Sequence, residues 1–100
     1  MENELEFIQA WYRAQCDGAW EHSCGVKIDT LDNPGWSVTI DLRGTPLEHG
    51  TMAKLSQDCG PGDWVFMEVT GAQFRAAGDP SKLAAILGAF REWSNSVTAS

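Results

Sequence analysis

Positive charge is what this chain has least of: seven lysines and arginines stand against fourteen aspartates and glutamates, a formal charge of −7. A field of that sign repels phosphate backbones and anionic bilayers at long range, which argues against nucleic acid and membrane as direct ligands. Cysteine is scarce and odd in number. Cys16, Cys24 and Cys59 stand at irregular spacing, unlike the paired framework of a small secreted domain, so reduced thiols are expected. No apolar run approaches the roughly 20 residues that span a bilayer, and no acylation motif starts or ends the chain. The stretch Met1 to Glu6 holds three glutamates and no basic residue, the opposite of a signal peptide. These absences together give the expectation of a cytoplasmic protein. There is also no internal repeat, no linker and no phosphate-cradling glycine motif, since Gly60-Pro61-Gly62 reads as a turn.

What is present suffices for a core. Hydrophobic residues make up 43% of 100 positions and include five tryptophans, enough apolar surface to offset the ordering entropy of a single domain spanning residues 1–100. Asn3 and Glu6 have the spacing of a capping box. After them Leu5, Ile8, Tyr12 and Cys16 recur at helical period, widened by Phe7 and Trp11, so a helix is predicted from about Glu4 to Cys16 with Asp17-Gly18 as its stop. From Val26 the period becomes two. Val26, Ile28 and Thr30, then Trp36, Val38, Ile40 and Leu42, form the inward sides of an antiparallel hairpin turned at Leu31 to Gly35.

Gly44 to Gly62 reads as an irregular connection with one edge strand at Met52 to Leu55. Trp64 to Val69 is apolar on both faces and is expected to be the best-buried strand. Asp79-Pro80 supplies a capping carboxylate and a first-turn proline for a second helix carrying Leu83, Ile86, Leu87 and Phe90. That helix is expected to end near Trp93, with Ser94 to Ser100 frayed. The fold class is therefore α+β: an N-terminal helix, an antiparallel sheet of three to four strands, and a C-terminal helix packed on one sheet face.

Chemistry-bearing groups are sparse. Cys16, His22 and Cys24, with Cys59 or His49 far off, are the available zinc ligands, but only His22-Ser23-Cys24 is closely spaced and no second knuckle exists. A cysteine nucleophile using His22 or His49, oriented by Asp17 or Glu21, lacks any nucleophile motif. No cofactor or metal is expected. The densest polar and aromatic cluster is Cys16 to His22; there Trp20 either plugs the core or meets a partner, and Asp17 either binds local amides or does the same. Trp36 and Trp64 carry the same two readings. Residues 1 to 32 hold seven acids against Arg13 and Lys27, which makes this the region to receive a basic partner.

Trp11-Tyr12-Arg13-Ala14-Gln15-Cys16-Asp17-Gly18-Ala19-Trp20-Glu21-His22, then Gly25 and Thr30-Leu31-Asp32-Asn33-Pro34-Gly35-Trp36, resemble immunity protein family 53 of bacterial polymorphic toxin systems. Ile40-Asp41-Leu42, Asp63-Trp64, Phe74, Gly78-Asp79-Pro80, Phe90 and Trp93 continue the likeness over nearly the whole chain. One departure is Cys59-Gly60-Pro61-Gly62, where the family commonly has an acidic turn. The resemblance implies an intracellular antidote that binds a toxin, with no catalytic residue set to carry over.

The expected function is thus a toxin-neutralising protein, monomer or homodimer, that occludes a basic toxin without catalysis. Asp17, Trp20, Glu21, His22, Asp32, Asn33 and Trp36 are its candidate contacts. The alternative is a small thiol- or metal-dependent enzyme using Cys16, His22 and Cys24.

Overall fold

A computed structural model describes residues 3–98. Its elements run α1 (Glu4–Gln15), α2 (Trp20–Ser23), β1 (Val26–Leu31), β2 (Gly35–Asp41), β3 (Leu55–Asp58), β4 (Trp64–Thr70), β5 (Gln73–Gly78) and α3 (Leu83–Thr98). All neighbouring strands are antiparallel, and the spatial order is β1-β2-β5-β4-β3. The α+β class and the two terminal helices agree with the sequence reading; the sheet has five strands, not three to four.

The capping box forms as expected: the Glu6 amide donates to Asn3 Oδ1 at 2.8 Å and the Asn3 amide to Glu6 Oε1 at 3.2 Å. The buried side of α1 is rotated from the expected stripe. Ile8 and Trp11 are buried, whereas Leu5 is 59% and Tyr12 40% exposed. Phe7 and Trp11 decide the rotation, because their rings meet Phe90 of α3 at 6.3 and 5.3 Å and carry more apolar area than the positions left outside. Phe90 also packs edge-on to Phe74 of β5 at 5.2 Å, so one side chain joins both helices to the middle of the sheet.

The hairpin forms where expected, with Val26 opposite Ile40 and Leu31 opposite Gly35, but Ile28 and Thr30 of β1, expected inward, are exposed because β1 is an edge strand. The strand expected at Met52 to Leu55 begins instead at Leu55. Met52 and Leu55 both pack against the core, but only from Leu55, opposite Met67, does the backbone join the ladder. Its remaining residues Ser56, Gln57 and Asp58 are polar, which a sheet edge tolerates. The preceding stretch is irregular yet anchored: Leu42 and Leu47 are buried, and Trp93 Nε1 donates to the Thr51 carbonyl at 2.8 Å.

β4 is not the best-buried strand. Val65 and Met67 are buried, but Trp64, Phe66 and Glu68 alternate onto the opposite face, which neither helix covers. The sheet centre is β5, which the sequence reading missed because Gln73-Phe74-Arg75-Ala76-Ala77-Gly78 has no β-branched residue. It follows β4 through a two-residue turn in which Gly71 and Ala72 both have φ of 59°.

α3 also departs from expectation at both ends. Asp79 does not cap it directly; a turn at Asp79 to Lys82 intervenes and the helix starts at Leu83. At the other end it continues to Thr98, since Ser94 is buried and Val97 packs on the core. Ala99 and Ser100 of the tail expected to fray lie outside the described residues.

Two stability changes test this packing. Phe90→Ala should cost about 3–5 kcal/mol, the range for deleting a fully buried aromatic ring; a loss under about 1 kcal/mol in urea unfolding would contradict its central place. Ala72→Gly should stabilise by about 0.5–1 kcal/mol, because relief of a left-handed alanine outweighs the added freedom of the unfolded chain. Equal or lower stability in the same assay would contradict that ranking.

Candidate functional site

The segment between α1 and β1 closes on itself. Gly18 turns the chain with φ of 91°, Asp17 Oδ1 accepts the amides of Ala19 and Trp20 at 2.9 Å each, and the Glu21 carboxylate accepts those of Asp17 and Gly18 at 2.9 Å each. The amides of Trp20 and Ala19 hold Asp17 below the ordinary carboxylate range. The Glu21 amide, with those of Asp17 and Gly18, does the same for Glu21. Trp20 is buried, packs edge-on to Trp11 at 6.0 Å and donates its indole N–H to the Arg43 carbonyl at 2.8 Å. Of this cluster His22 is exposed and Trp20 is core.

The other candidates lie at the far end of the hairpin. Asp32 and Asn33 are exposed in the turn, and Trp36 is half-buried with its indole N–H donating to the Pro80 carbonyl at 3.0 Å. β1 separates the two groups by about 17 Å at ~3.3 Å per residue, so the fold does not bring the seven candidates into one patch. It brings Asn33 instead beside Asp58, Gly60, Pro61 and Trp64, residues the sequence reading did not group with it. The signal was available in part: alternation in β4 sends Trp64 and Phe66 to one face while Val65 and Met67 go to the other.

Beneath that end of the sheet lies a buried carboxylate. Asp79, 1% exposed, accepts the Trp64 amide at 2.9 Å and the Lys82 ammonium at 2.7 Å on Oδ2, and the Ser81 amide at 2.8 Å and hydroxyl at 2.5 Å on Oδ1. The Lys82 ammonium, the Ser81 hydroxyl and the two amides hold it far below the usual carboxylate range, against the opposing effect of burial. Lys82 also bonds Asp63 at 2.8 Å, and the hydrogen bonds to Asp63 and Asp79 raise its pKa.

The thiols do not assemble with histidine into a centre. Cys16 Sγ donates to the Tyr12 carbonyl at 3.3 Å, Cys24 Sγ lies 3.8 Å from Ser23 Oγ, and all three cysteines are free. Among the described residues no group of three His, Cys, Asp or Glu is placed to hold a metal ion. Nor is any helix among them long and apolar enough to cross a membrane.

A family model described as immunity protein 53 matches residues 5–95. No curated protein and no solved structure matches the chain.

The acid limb of stability should follow the three depressed carboxylates. A folded pKa below the unfolded value means that stabilisation is fully present above the ordinary carboxylate range of about 4 and is lost as pH falls below it. Thermal unfolding from neutral pH to about pH 2 should therefore show a steep fall below about pH 4. Asp79→Asn should start less stable at neutral pH and fall less steeply; an unchanged acid limb would remove Asp79 as its source.

Proposed function

The chain belongs to the immunity protein 53 family, and from that premise we propose that it binds a cognate toxin stoichiometrically and covers the surface the toxin acts with, performing no chemistry itself. The match over residues 5–95 is the observation that carries this reading. The fold supports it: buried aromatic rings and a fully satisfied carboxylate make a rigid scaffold, and the loops that scaffold displays are the usual seat of recognition. A net charge of −7 favours a basic toxin, since opposite fields speed encounter. The complex forms in the cytoplasm.

Within this reading Asp32, Asn33, His22 and the edge of Trp36 are direct contacts. Asp17 and Glu21 shape their own loop while adding to the field, and Trp20 acts from below by holding the loop on the core. The thiol- or metal-enzyme alternative has no supporting geometry, with Cys16 and Cys59 exposed singly and no ligand set among the described residues.

The test is co-expression with the protein encoded beside this chain. A stable complex on purification, with rescue of growth from that protein's toxicity, is the expected result. A folded chain that neither co-purifies nor rescues would overturn the reading.

A further inference from the structure

Trp64 and Phe66 stand two residues apart on β4 and share the sheet face that no helix covers. Phe66 already has a cation: Lys54 Nζ lies 5.6 Å from its ring centroid. No such cation is paired with Trp64 among the described residues. The indole rests against the β1–β2 turn, where a Cβ on Gly35 would come within 3.2 Å of Trp64 Cζ2. The Gly78 carbonyl would lie closer still, so the β5 backbone as well as the ring holds that position to glycine.

Asp58 is directly opposite Trp64 in the β3–β4 ladder, so its carboxylate belongs to the same face, beside the indole. Asn33, Asp58, Gly60, Pro61 and Trp64 line an open groove of about 450 Å³. Among the described residues Asp58 is the one charged residue that lines it, and it accepts only the Gly60 amide through Oδ1. Asp32, next to Asn33 in the turn, is exposed. The nearby ammonium of Lys82 is already bound to Asp63 and the buried Asp79. An indole beside a carboxylate, in a lining that holds no lysine or arginine among the described residues, suits a guanidinium, which stacks on indole and bonds carboxylate in one pose.

We propose that this groove receives an arginine-bearing basic segment of the toxin, the guanidinium lying over Trp64 with Asp58 and Asp32 as counter-charges. The proposal rests on the toxin-binding reading above. It narrows that reading to the end of the sheet opposite Asp17 to His22, and names Asp58 and Trp64 as contacts.

The probe is the protein encoded beside this chain, with association and dissociation rates measured at low and at physiological salt. The double variant Asp32→Lys/Asp58→Lys should associate about tenfold more slowly at low salt, with a flatter salt dependence. Trp64→Leu should dissociate about tenfold faster with little change in association; Trp64→Phe, which keeps a ring face, should lie between and serves if the leucine variant does not fold. Glu48→Lys/Glu92→Lys, which changes charge equally away from the groove, should slow association clearly less than the groove pair and leave dissociation near wild type. If wild type binds and the groove variants behave like that control pair, the groove assignment is wrong and toxin binding stands. If folded wild type does not bind at all, the toxin reading falls and the groove assignment with it.

Discussion

A buried carboxylate is tolerable only when its charge is balanced and its lone pairs are used, and Asp79 meets both conditions. Four donors reach it: the Trp64 amide, the Lys82 ammonium, and the amide and hydroxyl of Ser81. A carboxylate offers about four acceptor sites, so nothing is left unpaired. The donors come from both sides of the join. Trp64 opens β4, Asp79 follows β5, and Ser81 and Lys82 lead into α3. The interaction therefore sets where the helix leaves the sheet, which places Phe90 over Phe74, which in turn seats α1 through Phe7 and Trp11. Substitution at Gly78 shows how little slack remains, since a Cβ there would come 2.7 Å from Lys82 Cβ.

The same join explains how the two faces of the sheet came to differ. Val38, Ile40, Val65, Met67, Phe74 and Ala76 face the helices and are buried. With α3 fixed on that side and α1 stacked beside it, neither long helix reaches the other face. Trp64 and Phe66 are half-buried there, Phe66 beneath the Lys54 ammonium and Trp64 against Gly35. Half-burial of a ring on a sheet face is ordinary, so the two rings by themselves do not call for a partner.

What sequence reasoning could see was local. The capping box, the hairpin and its turn depend on residues within a few positions of each other, and they appear as expected. What it missed depends on distant contacts. β5 has weak strand character of its own and is a strand because β2 and β4 flank it. Leu5 and Tyr12 fit the helical period as well as Phe7 and Trp11 do; only Phe90, far away at the other end of the chain, chooses between them. Asp79-Pro80 was legible as punctuation but not as a knot, because the Trp64 amide it holds cannot be inferred from spacing. The candidate contacts fared likewise: the loop at Asp17 to His22 and the turn at Asp32 to Trp36 lie at opposite ends of β1, and the groove that Asn33 shares with Asp58 and Trp64 cannot be inferred from spacing.

Formal charge is consequently a poor map of what a partner would meet. Asp17, Glu21 and Asp79 carry three of the negative charges, yet each is turned toward the protein's own amides or ammonium. They contribute to the long-range field while being fixed by the fold. Reversing Asp17 or Glu21 would leave two amides of a tight loop without their acceptor and expose Trp20 to rearrangement, so a binding loss there would conflate structure with recognition. Asp32 and Asp58 differ in kind. One is exposed in a turn and the other holds a single amide at the tip of an edge strand, so their charge can be inverted with the scaffold intact. In a chain whose acids serve both purposes, the carboxylates the fold does not need are the ones through which a partner can be told apart from the protein's own architecture.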